Sequence, residues 1–150
     1  MGKKPALDSG LARALLAAIK KYDIPLAEGN PPENGVFRDA ELKMLYSSGT
    51  AVLSQDKDGL LNFYNPAAAT VFGYDIEEAL DMPSVKLVPE HLRGERSKEF
   101  QKILEEKVKL EFNTIRLTKK GELILVHAHV FPYELETGVF SIAATVELKE

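Results

Sequence analysis

Apolar residues recur at helical spacing near the start of the chain. Leu11, Leu15, Ala18, Ile19 and Tyr22 form one stripe, with Arg13, Lys20 and Lys21 off it. Asp8-Ser9 is placed to cap this helix and Pro25 to end it. The stripe reads as packing on its own domain, with a docking or dimerisation helix as the alternative. Residues 29–35, Gly-Asn-Pro-Pro-Glu-Asn-Gly, form a breaker cluster and read as a linker. Phe37 to Ser47 reads as a second helix, with Leu42, Leu45 and Tyr46 apolar, ended by Gly49. Thr50 to Gln55 is a predicted strand, Asp56 to Gly59 a tight turn, and Leu60 to Tyr64 a second strand.

The period then changes. Asn65 suits an N-cap and Pro66 the first helical position, where its missing N–H is harmless. Ala67 to Val71 give a short helix, Gly73 stops it in a left-handed conformation, and Asp75 caps another at Ile76-Glu77-Glu78. Pro83 to Leu87 is short and irregular. Pro89-Glu90 opens the longest predicted helix, to about Val108, with Leu92, Arg96, Phe100, Ile103, Leu104 and Val108 in its stripe. Leu110–Thr118, Glu122–Phe131 and Val139–Leu148 are rich in branched residues and read as an antiparallel meander. They are joined by a turn at Lys119-Lys120-Gly121 and a loop through Pro132 and Gly138. Both faces of these strands carry apolar side chains, so both need covering. The helices between Pro66 and Val108 supply one cover; the N-terminal helices or a second subunit supply the other.

Composition narrows the chemistry. The chain of 150 residues is 45% hydrophobic with a net charge of −4, which suits one globular domain and argues against a nucleic-acid partner. It has no cysteine. That excludes thiolate chemistry, Cys-ligated metals and a thiol-linked flavin or chromophore. No apolar run approaches the ~20 residues of a membrane span, and Arg13 interrupts anything like a signal peptide. The expected compartment is the cytoplasm. No G-x-S-x-G elbow, H-E-x-x-H or Walker lysine occurs, so a catalytic role is not expected.

Arg96 lies in the apolar stripe of its helix, four residues from Leu92 and from Phe100. A buried arginine needs a partner. The choices are an anionic ligand in a cavity between helix and sheet, a carboxylate such as Glu99 or Glu77, or solvent at the end of its long stem. Thr114 and Arg116 share a strand face with Phe112; with Tyr64 and Thr145 they could place polar groups in an apolar pocket, or serve as cross-strand partners. His127-Ala128-His129 puts two imidazoles on one strand face, as a shared metal would require. With Gly121 and Glu134 the pair resembles the first cupin motif, G-x5-H-x-H-x3,4-E. The second cupin motif has no room before Glu150, and the first hundred residues are too helical for a jelly roll. Two satisfied or interface histidines are the preferred reading, with His127, His129 and Glu134 as the alternative metal set.

Asn65, Phe72-Gly73-Tyr74, Glu77-Glu78 and Lys119-Lys120-Gly121 together resemble the PAS sensory-domain family, which often reads N-x-A-x-x-x-x-x-G-Y-x-x-E-E. The family usually has a further glycine near the place of Asp81-Met82-Pro83, and this chain has none. The likeness covers roughly Glu41 to Glu150. Leu15-Leu16, Leu45-Tyr46, Val52-Leu53-Ser54, Pro83-Ser84, Ile115-Arg116 and Ala143-Ala144-Thr145 are similar to the MEKHLA group of PAS-like proteins. The resemblance implies an α+β fold: a five-stranded antiparallel sheet in order 2-1-5-4-3, helices on one face and N-terminal helices on the other. Residues 1–36 would be an N-terminal helix and linker, and 37–150 the PAS-like domain.

It further implies a sensory or interaction module that binds a small ligand around Phe72, Tyr74, Met82 and Phe100, and that acts through a homodimer or a signalling partner. Pro89-Glu90-His91-Leu92-Arg93 is similar to a run in haem-binding PAS proteins, but Arg96 stands where those have histidine, so a haem of that type is not expected. PAS sensors often leave the last strand through an Asp-x-Thr-like motif; Ala143 to Glu150 has none, so output is expected from a partner in trans, from dimer rearrangement or from a part of a longer protein. The competing classes are a purely structural dimerisation domain and a His-x-His metal-dependent enzyme.

Overall fold

The computed structural model describes residues 9–29 and 40–149. The Asp8 cap, most of the 29–35 linker and Phe37 to Asp39 lie outside the described residues. The N-terminal stripe forms α1 (Ser9–Lys21). It ends earlier than Pro25. Asp23 takes a left-handed φ of 56°, and the Ile24 N–H reaches back to the Ile19 carbonyl at 2.9 Å, a Schellman-type stop. After α2 (Ala40–Ser47) come β1 (Ala51–Gln55), β2 (Leu61–Tyr64), α3 (Pro66–Phe72) and α4 (Ile76–Ala79). Then follow α5 (Arg93–Glu106), β3 (Leu110–Leu117), β4 (Leu123–Glu134) and β5 (Phe140–Leu148). The five strands form one antiparallel sheet in the order β2-β1-β5-β4-β3.

Strand parity divides the core in two. Leu53, Leu61, Tyr64, Val126 and Val146 meet Ala68, Phe72, Met82 and Leu87 on the face of the short helices. Beside them α5 covers Ala128, Val130 and Ile142 with Ile103. On the opposite face Val52, Phe63, Phe131, Tyr133 and Ala143 pack against Leu11, Leu15 and Ile19 of α1 and Leu45 of α2. The N-terminal helix therefore packs on its own sheet, with the Tyr22 and Phe131 rings 6.2 Å apart.

The local signals in the middle of the chain act as written. The Asn65 side chain accepts from Ala68 N, Pro66 opens α3, and Gly73 closes it at φ 86°. Asp75 and Glu78 form a reciprocal capping box at α4. Glu78 also meets Lys119 Nζ at 2.5 Å, and Lys119 N donates to the Phe72 carbonyl at 2.9 Å. These contacts tie both short helices to the β3–β4 turn.

Two sequence expectations about these elements need correction. Pro132 is not in a loop; it lies within β4 opposite Ile142. The pairing of β4 with β3 ends at Leu110–Val130, so Pro132 has a strand on one side only, where a missing N–H is tolerated. The long helix is shorter than expected. Glu90–Leu92 form a 3-10 turn, α5 begins at Arg93, and Lys107 ends it at φ 54°. The place of the absent family glycine is filled by Asp81 at φ 68°, a residue type that visits this region at modest cost. From there Asp81 N and Met82 O bond Leu61 and cover the outer edge of β2.

Candidate functional site

Between the sheet and α5 lies a cavity of about 60 Å³. Its walls are mostly apolar, from Leu53, Leu61, Phe72, Leu87, Val88, Phe100, Val130, Ile142 and Val146. Ser54 also borders it, and four further polar side chains enter from separate elements: Gln55, Ser84, Arg96 and Arg116. A cavity holding benzene occupies ~150 Å³, so this one takes only a molecule well below that size, or about two waters.

Each polar group arrives from a different element. Arg96 comes from the second turn of α5 and lies over the Phe100 ring, 4.2 Å from its centre. Its Nη2 donates to Gln55 Oε1 at 3.0 Å and to Ser84 Oγ at 2.6 Å. Ser84 Oγ donates in turn to Gln55 Oε1 at 2.5 Å. Gln55 ends β1 at an irregularity in the β1–β2 register. Its carbonyl is held from the opposite face of the sheet by Tyr133 Oη and Ser141 Oγ, both at 2.7 Å. Arg116 on β3 donates to Thr114 Oγ1 and to the Ile115 carbonyl.

Neither arginine has a carboxylate of a described residue within 4.0 Å. Burial lowers the Arg96 guanidinium to about 10, helped by the charges of Arg116 and Arg93. Arg116 is lowered by burial as well. Glu99, one of the carboxylates expected to pair with Arg96, is raised by burial and then by Glu95. It feels the two arginines without reaching them. The cavity is thus apolar, positive and short of acceptors.

Of the residues singled out from the sequence, Phe72, Arg96, Phe100 and Arg116 line this cavity. Tyr64, Tyr74, Met82, Phe112 and Thr114 lie outside its lining. Met82 and Tyr64 are buried in the adjoining core, and Thr114 touches the cavity only through Arg116. His127 and His129 lie on the other face of the sheet. Glu134 is out of phase with them at the end of β4; the carboxylate beside them is Glu111 of β3. Sequence reasoning missed Gln55 and Ser84. Pro83-Ser84 was visible as a family-like pair, but nothing along the chain marks the bend that turns Gln55 inward.

Tyr64 is occupied structurally. Its hydroxyl lies within hydrogen-bond reach of the carbonyls of Tyr74 (2.9 Å) and Ala68 (3.2 Å). Burial raises its pKa, aided by the charges of Tyr74, Glu78 and Asp75, and burial raises Tyr133 too. A phenol whose folded-state pKa exceeds the ordinary value of 10.0 contributes stability that is whole below pH 10 and lost as pH rises through the folded value. Urea unfolding is expected to give constant stability from about pH 8 to about pH 10 and a steady fall above it, with a shallower fall in Tyr64→Phe. An unchanged slope in that variant would remove Tyr64 from the account.

Residues 25–133 match the family model of the MEKHLA domain. A search of curated protein sequences finds no match. Among solved structures, the PAS domain of a protein from Colwellia psychrerythraea superposes with a TM-score of 0.62 at 19% identity, covering 67% of this chain and 86% of that one. The PAS domain of an HTR-like protein from Haloarcula marismortui gives 0.58 at 18% identity, covering 69% and 84%. A PAS domain in complex with ethanol, from a LuxR-family transcriptional regulator of Burkholderia thailandensis, gives 0.55 at 15% identity, covering 66% and 88%. At these identities the structural likeness speaks to the fold. No helix among the described residues is long and apolar enough to cross a membrane.

Proposed function

Since the chain belongs to the MEKHLA domain family and has the PAS-like fold, we propose that it is a non-catalytic sensory module whose ligand is a short-chain carboxylate held between Arg96 and Arg116. One observation carries the reading: two guanidiniums line an apolar cavity of about 60 Å³ with no carboxylate of a described residue in ion-pair range. Two half-buried like charges without a counter-charge carry a desolvation cost, and a bound anion relieves both. The apolar walls suit a short alkyl tail. Ethanol in the Burkholderia thailandensis domain supports the idea that this fold holds a ligand of such size.

The route outward begins at Gln55. Its side chain meets Arg96 inside the cavity, while its carbonyl meets Tyr133 and Ser141 across the sheet. An anion that draws Arg96 away from Gln55 biases the end of β1 and the residues beneath α1.

A second reading, association of two copies, has one observation in its favour. α1 leaves part of its sheet face uncovered, where Leu123 and Leu125 are 61% and 44% exposed.

The test is native mass spectrometry of the protein as purified, joined to thermal unfolding with formate, acetate, propionate and chloride. A carboxylate at a hundredfold excess over Kd adds ~2.7 kcal/mol, which raises the melting temperature by roughly 8 °C for a domain of this size. A rise with acetate but not chloride, or extra small-molecule mass lost on denaturation, supports the ligand. Dimer mass without either leaves the interaction reading in its place.

A further inference from the structure

The opposite face of the sheet holds a second constellation, separated from the cavity by the sheet itself. His127 and His129 of β4 point to the same side, as i and i+2 in a strand must. Their register partners on β3 are Asn113 and Glu111. One ring nitrogen of each histidine and one Glu111 carboxylate oxygen lie within 4.8 Å of one another. Glu111 Oε2 is 2.9 Å from His127 Nε2, and Glu111 Oε1 is 3.7 Å from His129 Nδ1. The two rings stand edge to face at 84°, with centres 5.2 Å apart.

Hydrogen bonding within the group is incomplete. His129 Nδ1 is shielded from solvent and has no hydrogen-bond partner among the described residues. Such an atom costs stability unless something else satisfies it. His127 Nδ1 is 2.7 Å from Asn113 Oδ1. With the amide as placed, that nitrogen carries the proton and donates, and Nε2 turns its lone pair toward a carboxylate oxygen. Two acceptors then face each other at 2.9 Å. A proton between them resolves this conflict for one histidine only. A cation between the three side chains resolves it for both and gives His129 Nδ1 a partner.

We propose that Glu111, His127 and His129 bind a divalent transition-metal ion of the zinc class on the outer face of the sheet. Two imidazole nitrogens and one carboxylate oxygen are the donor set such ions prefer. Asn113 plays the supporting part that orients a ligating imidazole. Burial lowers the pKa of His129, which keeps its lone pair available. Lys109 Nζ, 3.7 Å from Glu111 Oε1, competes for that carboxylate and swings aside on its flexible stem. Glu111 is exposed and His127 half-buried, so an ion enters without opening the fold, and its remaining coordination positions face solvent.

Tag-free full-length chain titrated with zinc against a chromophoric chelator tests the site. One equivalent is expected to bind. Affinity should fall at least tenfold in His127→Ala, in His129→Ala and in Glu111→Gln. The last residue is exposed, so its variant separates lost ligation from lost folding. Copper(II) electron paramagnetic resonance gives a second readout, in which nitrogen hyperfine splitting should disappear in the double histidine variant. No zinc uptake at 100-fold excess over protein, or uptake unchanged in that double variant, would overturn the proposal. Neither outcome bears on carboxylate binding in the cavity.

Discussion

Replacing Asn65 by alanine is expected to lower the unfolding free energy by about 3–4 kcal/mol and the melting temperature by roughly 10 °C. As a helix cap alone, Asn65 contributes about 1 kcal/mol. The structure gives it more to do. Its Oδ1 accepts from Ala68 N at 3.0 Å and also from Val52 N, in β1, at 2.9 Å. Its Nδ2 donates to the Thr50 carbonyl at 2.9 Å. The residue is fully buried, so water cannot replace these bonds. Alanine would strand an N–H and a carbonyl at the head of the central strands, at ~1–3 kcal/mol each. Asn65→Asp separates the two roles. Aspartate keeps the cap, but it loses the donor to Thr50 and buries a charge. If Asn65 only caps α3, aspartate is near neutral in chemical denaturation; if it also clamps β1, aspartate is destabilised nearly as much as alanine.

Arg96→Met is expected to do the reverse for stability and to abolish the carboxylate response. The Arg96 charge is half-buried near Arg116 and Arg93, and its pKa falls to about 10 through burial first and those neighbours second. Its bonds to Gln55 and Ser84 offset part of that cost, but Ser84 and Gln55 satisfy each other without it. Replacing buried charged groups by apolar side chains of similar volume is often neutral or gains ~1–4 kcal/mol, and a half-buried charge lies toward the low end. About 1–2 kcal/mol is expected here, or roughly 3–6 °C in melting temperature. The sign with pH follows from the lowered folded value. The penalty is complete below about pH 10 and eases only above it, so the gain should be equal at pH 6 and pH 8. Acetate, which should raise the melting temperature of the parent, should leave the variant where it is. A loss of more than ~2 kcal/mol in Arg96→Met would make the arginine a structural strut and remove the main support for an anion in the cavity.

Legibility followed distance along the chain. The caps at Asn65 and Asp75, the stop at Gly73 and the tight turn at Gly59 were readable because each closes a bond within a few residues. The two faces of the sheet followed from alternation, which also put His127 and His129 together. The stripe of α1 was readable as a buried face, and the resemblance in residues 65–78 supplied the strand order. The candidate site was half legible. Arg96, Phe72 and Phe100 were marked by their positions, and Arg116 by its strand face. Gln55 and Ser84 were not, because one depends on a bend in the β1–β2 pairing and the other on a 3-10 turn after Pro83.

What the sequence determined by itself is therefore the set of elements, their buried faces and the family they resemble, because those follow from bonds and periods spanning a few residues. Tertiary structure decided the rest. It set Glu111 rather than Glu134 beside the histidines, since only the β3–β4 register brings residues 16 and 18 positions apart into contact. It allowed Pro132 into a strand, because β3 stops short of it. It left two arginines around a small void, because the void is what remains after α5, the turn at Ser84 and the end of β1 have each been placed by contacts elsewhere.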